Sequence, residues 1–148
     1  MFTLDNLDTE TVQEKGAWLH LVNPADGELA YADEEKEKPC RIKFKGWQSE
    51  AGKEMALKGR NKMMKEAVNQ GKGKKKVKEL TTQDLKENAA TDAETLKALA
   101  LDWENIHGSD GKEIPFSETA FYNAALRALD LRKQALDFIQ DQSVFFEA

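Results

Sequence analysis

The sequence predicts an α+β fold, with a small antiparallel sheet of about three strands in the N-terminal part and a mainly helical C-terminal part. Three observations carry this. Residues 17 to 22 and 40 to 44 alternate in the period of two that a half-buried strand requires. Asn23-Pro24 and Asp26-Gly27, lying between them, supply turn chemistry. From residue 49 onward, apolar residues recur at helical spacing behind side chains suited to cap a helix.

Each element follows in order. Ala17 to Val22 puts Trp18, His20 and Val22 on one face of a strand and Leu19 and Leu21 on the other. Leu29 to Tyr31 is expected to pair back as a second strand. After the acidic loop Asp33 to Lys38, Cys40, Ile42 and Phe44 alternate with Arg41, Lys43 and Lys45, predicting a third strand with a basic outer face. Ser49 caps a helix running to about Asn69, whose apolar stripe is Ala56, Met63 and Ala67 with Leu57, Met64 and Val68 beside them. Gly59 costs that helix about 1 kcal/mol relative to Ala.

Thr82 is placed to cap a short helix. Thr91 and Glu94 have the form of a capping box that opens another, with Leu96, Leu99, Ala100 and Trp103 on its core side. His107-Gly108-Ser109-Asp110-Gly111 forms a turn. Ser117 then caps a helix carrying Phe121, Ala124, Ala125 and Ala128 on one face, with Glu118 at its positive end. Leu131, Ala135, Leu136, Phe138 and Ile139 repeat the pattern after Asp130, followed by Phe145-Phe146.

Length and composition bound the rest. A chain of 148 residues suits one domain, organised as residues 1 to 69, a Lys/Gly linker over 70 to 81, and residues 82 to 148. The charged fraction of 33% and mean hydropathy of −0.69 imply a lean core. No apolar run reaches the ~20 residues that span a bilayer, and Met1 to Lys15 is acidic and polar, so a cytosolic protein is expected. Charge is unevenly divided. Residues 1 to 40 hold 3 basic and 10 acidic residues, 41 to 78 hold 13 and 3, and 79 to 148 hold 6 and 14.

The basic island is densest at Lys72, Lys74, Lys75, Lys76 and Lys78. It reads as a solvated linker, as a contact for an acidic surface, or as a nucleic-acid site. The pI near 5.2 and the lack of aromatic residues between 48 and 102 argue against the last.

Reactive chemistry is sparse. Cys40 is alone, and His20 and His107 are the imidazoles that could activate a nucleophile. His20 falls in a strand and His107 in a turn. No CxxC, HExxH or EF-hand spacing is present, and Gly71-Lys72-Gly73-Lys74 lacks the P-loop spacing. No enzyme, metal or cofactor is therefore expected. Trp18, Trp47 and Trp103 suit core anchors; Trp47, between Gly46 and a helix cap, best suits an exposed contact. Phe145 and Phe146 could dock on this chain, on a partner, or on another subunit in a homo-oligomer.

The Trp103 segment, the glycine turn, Ile114-Pro115-Phe116-Ser117 leading into a helix, and a final helix ending in aromatic residues together resemble the C-terminal part of the tail assembly chaperones of long-tailed bacteriophages. Gly16 to Pro24, Asp26-Gly27-Glu28, Arg41 to Gly46 and Ser49-Glu50 are similar to their N-terminal β opening. The resemblance covers residues 16 to 69 and 101 to 146; the lysine run departs from it. It implies a non-catalytic protein of the bacterial host's cytoplasm that coats the tape measure protein, recruits tail tube subunits and is absent from the finished particle. Phe121, Phe138, Phe145 and Phe146 are then expected to contribute to a partner groove or end contact. A structural tail or connector component is the alternative, and a small nucleic-acid-binding regulator ranks below both.

Overall fold

The computed structural model describes residues 1–70 and 81–146. Among them a 3₁₀ turn (Leu4–Leu7) and α1 (Thr9–Lys15) precede β1 (Ala17–His20) and β2 (Arg41–Phe44). Then come α2 (Glu50–Gln70), α3 (Thr82–Leu99), β3 (Ala100–Glu104), α4 (Glu118–Arg127), α5 (Leu129–Gln140) and α6 (Gln142–Phe146). The α+β class is as the sequence predicts.

The described residues form an antiparallel three-stranded sheet in the order β1-β2-β3. Its middle strand alternates as expected: Ile42 and Phe44 are fully buried, while Arg41 and Lys43 are half-exposed. Arg41 pairs with Glu104 across the strands at 2.8 Å, and its guanidinium lies 4.3 Å over the Trp18 ring. Ile42 stands opposite Trp103, and α3, α4 and α5 join this inner face in one core. Phe44 meets Phe121 at 5.7 Å and Trp103 meets Phe116 at 5.6 Å, both edge-on. The Trp103 indole N–H donates to the Ile114 carbonyl at 2.7 Å, so the largest core ring buries no unpaired donor.

The third strand comes from the C-terminal half. Leu29 and Tyr31 make isolated bridges, to Val22 and Pro39, and form no strand of the sheet. Pro39, without an N–H, cannot extend that ladder. β3 instead occupies the free edge of β2, with an irregularity in register between Lys43 and Phe44. Trp103 thus lies on a strand, whereas its spacing from Leu96 and Leu99 suggests a helix. The helix ends because Ala100 turns extended, at φ −72 and ψ 131.

One helix also replaces the two expected after residue 81. Thr81 caps it in a box with Asp84, and the Thr91 hydroxyl donates to the Glu87 carbonyl at 2.9 Å, a bond made inside a continuing helix. Ser117 caps α4 as expected, accepting from the Ala120 N–H. Arg132 donates to the carbonyls of Ala125 and Leu126, capping the C-terminal end of α4 where the chain turns into α5.

α1 had no sequence expectation. Asp8 accepts from the Thr11 N–H and hydroxyl, an N-cap legible only as a short Asp-Thr-Glu run. The helix is tied to the β2–α2 junction. Buried Gln13 accepts from the N–H of Gln48 through its side chain and from that of Gly46 through its backbone. Glu14 pairs with Lys45 at 2.6 Å and accepts from the Glu50 N–H. Gly16, at φ +86, joins α1 to β1, and a Cβ there would lie 2.9 Å from the Phe44 carbonyl oxygen.

Two predictions follow from the junction. A Cβ on Gly52 would stand 2.2 Å from the Trp47 carbonyl oxygen. Gly52→Ala should therefore lower stability by roughly 1–3 kcal/mol in urea unfolding, although Ala is the better helix former. An equal or raised midpoint would contradict the close approach. The Lys45 hydrogen bond, then the Glu50 N–H, hold the Glu14 carboxyl below its ordinary value near 4.5. Its contribution is complete above that value and is lost as pH falls through the lower folded-state value. Glu14→Gln should flatten the acid limb of the stability curve as pH falls below about 4.5.

Candidate partner-binding groove

The base of α2 is anchored. The buried Ser49 hydroxyl donates to the Gly46 carbonyl at 2.6 Å and accepts from the Gly52 N–H, and the Trp47 N–H donates to the Ile139 carbonyl at 3.0 Å. Ala51 packs on the core. Beyond Met55 the helix leaves that support. Every residue from Ala56 to Val68 is exposed, including the predicted stripe of Ala56, Leu57, Met63, Met64, Ala67 and Val68. Met63 is 71% and Val68 74% exposed. Helical spacing correctly marks an apolar face, yet α3, α4 and α5 already share the core with the sheet's inner face, leaving that stripe open.

A groove of about 770 Å³ lies along this face. Trp47, Met55, Ala56, Met63 and Ala67 supply its apolar lining, with Thr91 and Thr95 from α3 opposite. Lys58, Arg60 and Lys62 also line it, with Glu94 as the acid among them. Between Met55 and Lys65 the sequence carries four cations and no carboxylate. The groove is thus apolar and flexible in its methionines, with a positive border, on a chain whose formal net charge is −5.

The expected contact residues separate. Trp47 lines this groove and is 36% exposed. Phe146, 40% exposed, lines another hollow of about 650 Å³ with Val12, Trp18, Lys43, Phe138 and Phe145. Phe121 is fully buried between Phe44 and Trp103, so it has no surface to offer a partner, contrary to the expectation. Phe145, 2% exposed, packs against the half-buried Phe138 at 5.6 Å and fastens α6 to the body. Phe121 is buried because the lean core draws its large side chains from the sheet and from α3, α4 and α5. Lys72, Lys74, Lys75, Lys76 and Lys78 lie outside the described residues.

Met55 and the α3 threonines were not legible as lining residues. Three methionines within ten positions, from Met55 to Met64, were the available signal. Side chains with reactive potential are engaged elsewhere. Burial pushes the Cys40 thiol up, opposite to the direction an activated nucleophile requires, and it donates to the Asn105 carbonyl. His20 Nε2 lies 2.7 Å from the Ala30 carbonyl, with its ring edge-on to Tyr31. Among the described residues no group of His, Cys, Asp or Glu is arranged to hold a metal, and no helix is long and apolar enough to cross a membrane.

Gly59 sits in the exposed half of α2, with nothing within 4 Å of where a Cβ would stand. A half-helix without tertiary support is marginal, and Ala for Gly adds up to about 1 kcal/mol of helix preference. Gly59→Ala should therefore slow amide hydrogen exchange from residue 56 to 68 while leaving exchange in the core unchanged. Unaltered exchange in that half would show that the helix is already held by other means. No protein-family model, curated protein or solved structure matches this chain.

Proposed function

We propose that this chain is a non-catalytic phage tail assembly chaperone. In this role it covers apolar helical faces of the tape measure protein, and it recruits tail tube subunits in the cytoplasm of the bacterial host. The observation that carries the reading is the apolar groove between α2 and α3. In that groove Met55, Ala56, Met63, Met64 and Ala67 of α2 present a surface suited to another apolar helix. Methionine side chains adapt to many partner sequences, which suits a protein that must cover a long helical client. The cations Lys58, Arg60 and Lys62 favour client helices whose apolar stripe is flanked by acidic residues. The resemblance over residues 16 to 69 and 101 to 146 supplies the identity of the client.

Co-expression with the tape measure and tail tube proteins of the same genome neighbourhood tests this. The chain should keep the tape measure soluble, co-purify with it and be missing from purified particles. Trp47→Ala combined with Met63→Lys should weaken the complex at least ten-fold, about 1.4 kcal/mol, without unfolding the chain. Undiminished binding by that variant would remove the groove from the reading. Retention in purified particles would replace the chaperone with a structural tail or connector component.

A further inference from the structure

We infer that the open edge of β1 is a separate docking site, which takes an extended peptide segment of another protein in which acidic and apolar residues alternate. The site shares no lining residue with the α2 groove and does not depend on the chaperone reading. β1 has β2 as its one neighbour in the sheet. In an antiparallel ladder, alternate residues bond to the neighbouring strand, and those between point their N–H and C=O the other way. The Leu21 N–H donates to the Cys40 carbonyl at 2.9 Å, and in the same register Leu19 stands opposite Ile42 and Ala17 opposite Phe44. The backbone groups of Trp18, His20 and Val22 therefore face away from β2. At Val22 the Gln134 side chain completes that edge as a strand neighbour would, accepting from the N–H and donating to the carbonyl, both at 2.8 Å. At Trp18 and His20 the backbone has no such partner among the described residues.

The hollow of about 650 Å³ at the start of this edge decides the occupant, because its two sides differ in chemistry. On one side are Trp18 and Lys43, opposite each other on the outer face of the sheet, with Lys15 from the end of α1. Lys15 and Lys43 are the charged residues of the lining, and neither belongs to an ion pair among the described residues. Asp102 stands opposite Lys43 on β3, but its carboxylate accepts from the Trp103 N–H at 2.8 Å. On the other side are Val144, Phe146 and Phe138, the last meeting Phe44 of the inner face at 6.4 Å. An extended chain has the matching two-sidedness, since its successive side chains point to opposite faces. Carboxylates on one side meet the two lysines, apolar side chains on the other meet Phe146, and the main chain bonds Trp18 and His20. A second copy of β1 is disfavoured there, because Ala17–His20 carries no carboxylate and edge-to-edge pairing would bring the lysines of both chains to one short ribbon.

The probe is a short synthetic peptide alternating glutamate with valine, titrated into the full chain at neutral pH while amide hydrogen exchange is followed by residue. Binding should slow exchange at the Trp18 and His20 amides and leave residues 56 to 68 unchanged. A peptide alternating lysine with valine should bind at least roughly ten-fold more weakly to the unaltered chain, as should the glutamate peptide to the chain carrying Lys15→Glu with Lys43→Gln. N-methylation of one alternate set of peptide amides should abolish binding, and methylation of the other set should be tolerated, because only one set faces β1. Equal binding of the lysine peptide, indifference to which amides are methylated, or unaltered exchange at Trp18 and His20 would each overturn the inference. Protection of those two amides in the chain alone, rising with its concentration, would make a second copy the occupant and overturn it as well. The Trp47→Ala with Met63→Lys variant should bind the glutamate peptide undiminished, so failure of the groove and failure of the edge are read separately.

Discussion

Phe44 stands on the middle strand, and both edges of that strand and its inner face are occupied. β1 and β3 pair on its two sides, while Phe121 and Phe138 meet its ring at 5.7 and 6.4 Å. Those two rings come from α4 and α5, so one side chain joins the sheet to the helices on both sides of a turn. Its carbonyl faces the space that a Cβ on Gly16 would fill. The side chain is fully buried, an arrangement contributing about 1.5–3 kcal/mol for an aromatic of this size before any ring-to-ring geometry is counted. Because β3 follows Leu99 and α1 docks behind Gly46, the N- and C-terminal halves fold around β2 as one body.

That constraint explains why α2 is left with an open face. A sheet of three short strands offers one narrow apolar side, and α3, α4 and α5 share the core with it. In an ordinary monomer a helix of 21 residues would repay its ordering through tertiary burial, which here ends near Met55. The apolar residues beyond it contribute nothing to the observed core. Their pattern leaves an exposed apolar face bordered by Lys58, Arg60 and Lys62.

Local chemistry was the most legible part of the sequence. Ser49 and Ser117 cap the helices they were expected to cap, because capping depends on residues three apart, and the alternation of Ile42 and Phe44 with Arg41 and Lys43 needs no knowledge of the neighbours. Long-range choices were hidden. Trp103 fits helical spacing from Leu96, and only the vacant edge of β2 makes Ala100 extend. Gln134 supplies another example: its amide accepts from the N–H of Val22 and donates to the carbonyl of Val22, 112 positions away, fastening the chain after β1 to α5. Periodicity marked the α2 stripe but could not say whether this chain or another covers it. The phenylalanines divided for the same reason, Phe121 inward and Phe146 outward.

A helix laid on this face has the full exposed length of α2, from Ala56 to Val68, to engage. Charge would set the direction of such a contact, since the acidic regions on either side of residues 41 to 78 repel other acidic chains and leave the basic face of α2 as the place where such a chain is attracted.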